Sequence, residues 1–306
     1  MEQPEDQKKF ADQSAKVSTP PPIKPPFEKS NFNAYSQQSV VSNPNDRGLT
    51  ALSFIYAVGR VEPRFPSLAI EKEYAQIIGR ESTGGLTDRQ TLREALSMRH
   101  NRYLVRQMCW VLIVGGLETY ILQPRDPADF DLLVGALRPE PSLKDIDVVV
   151  GLQGPLAPPE MCGGLMVPVV LFDQVYSFDR DSLILSIPRR ERTSERKFGP
   201  AAEELLDRLL QATDNAGASD EHRAFNYLAL RYHAIYEKAV EMFEHDFSLS
   251  AIENRPSPLS SIRRIVEVIF SFRHRKTDFT EKFYVRVDVT DEFPFLVTKL
   301  SPYYDR

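Results

Sequence analysis

Four common catalytic signatures are missing from this 306-residue sequence: it holds no G-x-S-x-G, no G-x-x-x-x-G-K-[ST], no G-x-G-x-x-G and no H-E-x-x-H. Long apolar runs are missing too. CWVLIVGGL from Cys109 and MVPVVLF from Met166 fall well short of the roughly 18 residues that a bilayer crossing needs. Positive charge is not in excess: the net charge is -5, which gives no overall cationic field for a polyanion. The opening MEQPEDQKKFADQ lacks the apolar stretch of a secretory signal. These absences lead to the expectation of a cytoplasmic protein with no membrane and no nucleic-acid partner.

Cysteine is scarce. Cys109 and Cys162 are 53 positions apart, lack C-x-x-C spacing and sit beside apolar segments. The expectation is two buried, reduced thiols without zinc, the alternative being a zinc shared with His side chains or with a second subunit.

What is present divides into three parts. Residues 1–48 are rich in Gln, Ser, Asn, Lys and Pro, and STPPPIKPPFEKS (Ser18 to Ser30) cannot build a sheet or helix; they are expected to be a disordered tether. Residues 49–196 and 197–306 then make two folded units of α+β class: a mixed sheet with flanking helices, followed by a helix-then-β-hairpin unit.

In the first unit, Phe54, Tyr56 and Val58 alternate with Ile55, Ala57 and Gly59, predicting a strand that turns at Pro63 and Pro66. A helix from Leu68 ends at Gly79, and Thr87 with Gln90 has the spacing of a capping box. CWVLIV, Gly115–Gly116 and ETYILQP read as a hairpin, and Asp126–Pro127 as the start of a short helix. The uniformly apolar DVVVG and VPVVLF predict strands covered on both faces. In the second unit, Leu205, Leu206, Leu209 and Leu210 mark one helix. A longer helix capped by Ser219 runs through Phe243. Two alternating strands follow, Val266 to Phe272 and Phe283 to Val289, with FLVTKL from Phe295 as a third.

Candidate sites are few. DFD (Asp129 to Asp131) and DID (Asp145 to Asp147) have paired carboxylates suited to a hard cation, but serve equally as helix and strand termini. His233 and Glu237, with His222 and Glu241 on the same expected helix, lack a third ligand at defined spacing. RIVEVIFSFRHRK (Arg264 to Lys276) joins arginine to aromatics in the way of a base-stacking strand, yet its rings alternate as core residues do. Arg60, Glu62 and Arg64 fall where the first strand should end, and are read as a possible recognition loop. No catalytic, cofactor or metal residue is assigned.

The blocks LSFIYAVGRVEPRFPSLAIEKEYAQ, RYLVRQMCWVLIVGGLETYILQPRDP, APPEMCGGLMVPVVLFDQVYSFDRD and DEFPFLVTKLSPYYDR together resemble the PatG family of cyanobactin-maturation proteins, from Leu49 to Arg306. The likeness is to regions that follow the subtilisin-like protease in those multidomain proteins. This chain has no G-T-S-x-A-x-P serine segment, so no catalytic residue carries over. The resemblance implies a non-catalytic accessory or scaffolding protein of peptide maturation. Its partner would be a precursor peptide or a separate maturation enzyme, and a homodimer is possible. The alternative is an uncharacterised hydrolase or transferase.

Overall fold

Alternation along the first strand separates two environments. In β1 (Phe54–Arg64), Ile55, Ala57 and Val61 join one apolar cluster while Tyr56 and Val58 face another. With β2 (Cys109–Val114), β3 (Leu117–Pro124), β4 (Asp145–Leu156) and β5 (Pro168–Asp179), β1 closes a barrel in the order β1-β2-β3-β5-β4. Only β3 and β5 run parallel. The computed structural model describes residues 53–79, 87–188, 195–212 and 214–304; the proline-rich segment and the charged run at 189–194 lie outside the described residues.

The barrel is filled, not hollow. Ile55, Trp110, Leu112, Tyr120, Leu122, Val149, Val170 and Phe172 pack inside with Leu96 of α2 (Asp88–Ser97), Leu104 of α3 (Arg102–Gln107) and Leu133 of α4 (Phe130–Ala136). Trp110 donates its indole N–H to Val105 O at 2.9 Å, so the ring is buried without an orphaned donor. The capping box of Thr87 and Gln90 is formed, α1 (Leu68–Ile78) ends at Gly79, and Gly115 and Gly116 turn the hairpin with φ of 58° and 86°.

After the short α5 (Arg180–Ser186), helices α6 (Glu195–Leu210), α7 (Asp220–Arg231) and α8 (Ala234–Glu244) pack on the barrel wall and on a second sheet. That sheet is antiparallel, in the order β6 (Phe247–Pro256), β7 (Ile265–His274), β8 (Thr280–Asp288), β9 (Phe295–Pro302). One apolar cluster takes Tyr56, Val148 and Val150 from the barrel, Leu205, Leu209, Phe225 and Tyr236 from the helices, and Val268, Phe270, Phe283 and Val287 from the sheet. Thr50–Arg306 is accordingly one compact unit. Among the described residues, no helix is long and apolar enough to cross a membrane.

The expected α+β class is borne out, with a mixed sheet and its helices followed by helices and an antiparallel sheet. The mixed sheet closes into a barrel, because β1 pairs with both β2 and β4. Three details differ from expectation. The hairpin is the middle of a four-stranded sheet: β6 was hidden by a bulge at Leu249/Ala251 that breaks its alternation. The long helix is two, since Tyr232 leaves the helical region with φ -117° and ψ 86°. Strand β4 is covered on both faces, by Val149 inside and Val148 and Val150 outside, but β5 is not: Leu171 is 36% exposed on its outer side.

Candidate functional site

Arg60, Glu62 and Arg64 do not form a loop. They are alternate residues of β1, paired across from Ile113, Val111 and Cys109, and point outward from the barrel. Strand β1 passes through Pro63 because the missing N–H falls on the side that β4 has already left; two residues earlier, Val61 N–H on that side donates to Asp147 Oδ2 at 2.7 Å. The three charges are tied into a ladder. Glu62 holds Arg60 at 3.6 Å and Arg89 at 2.5 Å, and Arg64 holds Glu118 at 2.5 Å.

Three of the four paired carboxylates have partners of their own, and Asp129 lies in the turn that leads into α4. Asp131 pairs with Arg102, Asp145 accepts from Ser142 N at 2.7 Å, and Asp147 accepts from Ser177 Oγ at 2.5 Å in the barrel. His222 lies on α7, whereas His233 is the residue before α8, so the expected single ligand face does not exist. Cys109 and Cys162 are not separate thiols. They form a disulfide, with Cα atoms 5.7 Å apart, that ties the first residue of β2 to the 157–167 connection between β4 and β5. The chain reversal there brings Cys162 onto the outer face of β2 beside Val111 and Ile121, a proximity that sequence spacing does not reveal.

The tempting segment RIVEVIFSFRHRK becomes β7, with Val266, Val268, Phe270 and Phe272 in the core. Its other face carries the most developed polar arrangement of the described residues. Glu267 is 1% exposed, and each of its oxygens meets a different guanidinium. Arg255 on β6 reaches Oε1 with Nε at 2.8 Å and Nη2 at 2.5 Å; Arg286 on β8 reaches Oε2 with both at 2.7 Å. Cross-strand register places the three side by side, Arg255 opposite Glu267 and Glu267 opposite Arg286. The carboxylate beside Arg255 holds that guanidinium above its ordinary pKa.

Aromatic rings complete this face. Arg255 stands 5.0 Å over Tyr303, Arg286 stands 4.8 Å over Tyr284, and the two rings meet edge to face at 6.0 Å. With Pro258, Pro302 and Tyr304 they line a groove of about 490 Å³. Farther along, Asp288 is buried under Arg263, which lies 4.9 Å over the Phe295 ring.

A second cluster lies where the barrel meets the β8–β9 connection. Arg125 Nη1 is 2.9 Å from Asp173 of β5, and Nη2 is 3.6 Å from Glu292. Burial, then the hydrogen bond and charge of Asp173, push the Glu292 carboxyl up to about 8. Buried Arg223 of α7 holds the same connection through Val289 O at 2.6 Å, Glu292 O at 3.2 Å and Asp291 O; burial lowers its pKa to about 10. A wider groove of about 660 Å³ between α6, α7 and β6 is lined by Arg208, Ser219, His222 and Asn254. There Ser219 caps α7 and Arg208 pairs with Glu204.

Residues 192–303 match the PatG C-terminal family. A solved structure described as a PatG domain of unknown function superposes with a TM-score of 0.65 at 19% identity, covering 82% of this chain and 98% of that one. No curated protein matches the sequence. The resemblance read from the sequence blocks is supported: residues 192–303 are similar to the PatG C-terminal family, and the body containing them shares the fold of that PatG domain.

Proposed function

We propose that this chain is a non-catalytic accessory body of PatG-type peptide maturation, which binds a precursor peptide or a maturation enzyme at the groove on the outer face of the C-terminal sheet. The observation that carries the reading is the preset pair of guanidiniums on Glu267, inside the PatG C-terminal match. Both Glu267 oxygens are saturated by arginine, and arginine does not exchange protons near neutral pH, so this groove is built for holding and not for proton transfer. The Arg60, Glu62 and Arg64 ladder is the alternative contact surface, on the barrel wall. We place this role in the cytoplasm, where the Cys109–Cys162 bond has to persist against a reducing pool.

Calorimetric titration with a cognate precursor peptide, paired with mass spectrometry of the incubated peptide, tests the proposal. Binding without a mass change supports it. Cleavage or cyclisation by the chain alone contradicts it, and favours the second reading, an uncharacterised hydrolase or transferase. What speaks for that second reading is the raised Glu292 carboxyl beside Asp173, a pairing used elsewhere for general acid and base work.

A further inference from the structure

We infer that the groove recognises a carboxylate on an extended peptide segment, with Arg255 and Arg286 as the groups that read it; this deepens the binding role proposed above and rests on it. The charges are stacked in depth. Glu267 lies beneath at 1% exposure, while Arg255 and Arg286 are 46% and 20% exposed at the surface. Two guanidiniums on one carboxylate leave an uncompensated positive charge facing out, on a chain whose net charge is -5. Each planar fork spends its Nε and Nη2 edge on Glu267, so the opposite edge faces away from it, with its orientation already fixed.

Geometry favours an extended ligand. The backbones of Arg255 and Arg286, on the strands either side of β7, are about 10 Å apart, while their guanidiniums converge on the two oxygens of Glu267. The outward edges therefore lie closer together than the backbones, a span that suits side chains two positions apart on a strand-like peptide, about 7 Å. Tyr304, 80% exposed, offers an apolar wall at one end of the groove. Nucleic acid fits less well. The rings of Tyr284 and Tyr303 already carry cations, and one excess charge is a small footprint for a polyanion.

The test is fluorescence anisotropy on the full chain with three labelled probes: an octapeptide bearing two alternating glutamates, its glutamine counterpart, and an eight-residue oligothymidylate. The expected result is binding of the glutamate peptide, about tenfold weaker binding of the glutamine peptide, and a similar loss for Arg255→Ala or Arg286→Ala. Arg255→Lys and Arg286→Lys keep the charge without the fork, and are expected to fall between; they serve if either alanine variant unfolds. Equal affinity for the two peptides, no binding of either, indifference to all four substitutions, or tighter binding of the oligothymidylate overturns the inference. Failure here is separable from failure of the accessory role: a cognate precursor that binds both arginine variants as well as the parent sinks only the carboxylate reading.

Discussion

Asn226 Nδ2 donates to Tyr56 O at 2.7 Å, which binds α7 to the barrel on the side of β1 away from β4, where no strand pairs with it. Strand β2 pairs with β1 only from Arg60 onward, so Tyr56 would otherwise leave backbone groups open on that side. Its N–H is met by Gly217 O at 2.9 Å. Gly217 adopts φ 72°, and a Cβ there would stand 2.5 Å from Ala57 Cα.

Replacing Asn226 by Leu is therefore expected to cost about 1–3 kcal/mol, the penalty of an unsatisfied buried carbonyl. Gly217→Ala should cost at least as much, because strain and steric overlap act together. Urea unfolding measures both. Changes within about 0.5 kcal/mol, typical of unremarkable surface positions, would contradict this account of the junction.

The Cys109–Cys162 bond predicts that unreduced, unfolded protein shows no free thiol, and that Cys162→Ala lowers stability by about 2–4 kcal/mol. Loss of the tie should also make the 157–167 connection the first site of limited proteolysis. Thiol titration of protein purified without reductant decides the matter. Two free thiols there would restore the reading drawn from spacing alone.

Glu292 predicts a definite sign of pH dependence. Its carboxyl is raised from the ordinary 4.5 to about 8 in the fold, so the folded state holds the proton after the unfolded chain has released it. The stabilisation is complete below pH 4.5 and is lost progressively as pH rises to about 8, where the folded carboxyl also ionises beside Asp173. Glu292→Gln, which retains a donor toward Asp173, is expected to flatten the melting temperature between pH 5 and about 8.5. An unchanged slope in the variant would contradict it.

Local signals in the sequence proved accurate where chemistry is local. The capping box at Thr87, the Asp126–Pro127 start, the Ser219 cap and the glycine turn at 115–116 each depend on residues within four positions of one another. Val287, Phe283, Leu205 and Leu209, each on a regular apolar face of the sequence, are buried. Barrel closure did not, because pairing of β1 with β4 joins residues about ninety positions apart and leaves no mark in either strand. The groove was half visible. Glu267 is the one carboxylate of β7, set among apolar residues in a position that calls for a partner, but Arg255 and Arg286 become its partners only through the register of β6 and β8. Asp173 and Glu292 meet across a similarly long range, and neither carries a local signal of the other.

Amide chemical-shift mapping while the chain is titrated with the glutamate peptide is the most direct measurement of the central claim. The account predicts shifts concentrated at Arg255, Glu267, Tyr284, Arg286 and Tyr303, moving together with one dissociation constant and fading as salt is raised. Shifts centred instead on Arg60, Glu62 and Arg64, or along the groove between α6 and α7, would contradict it.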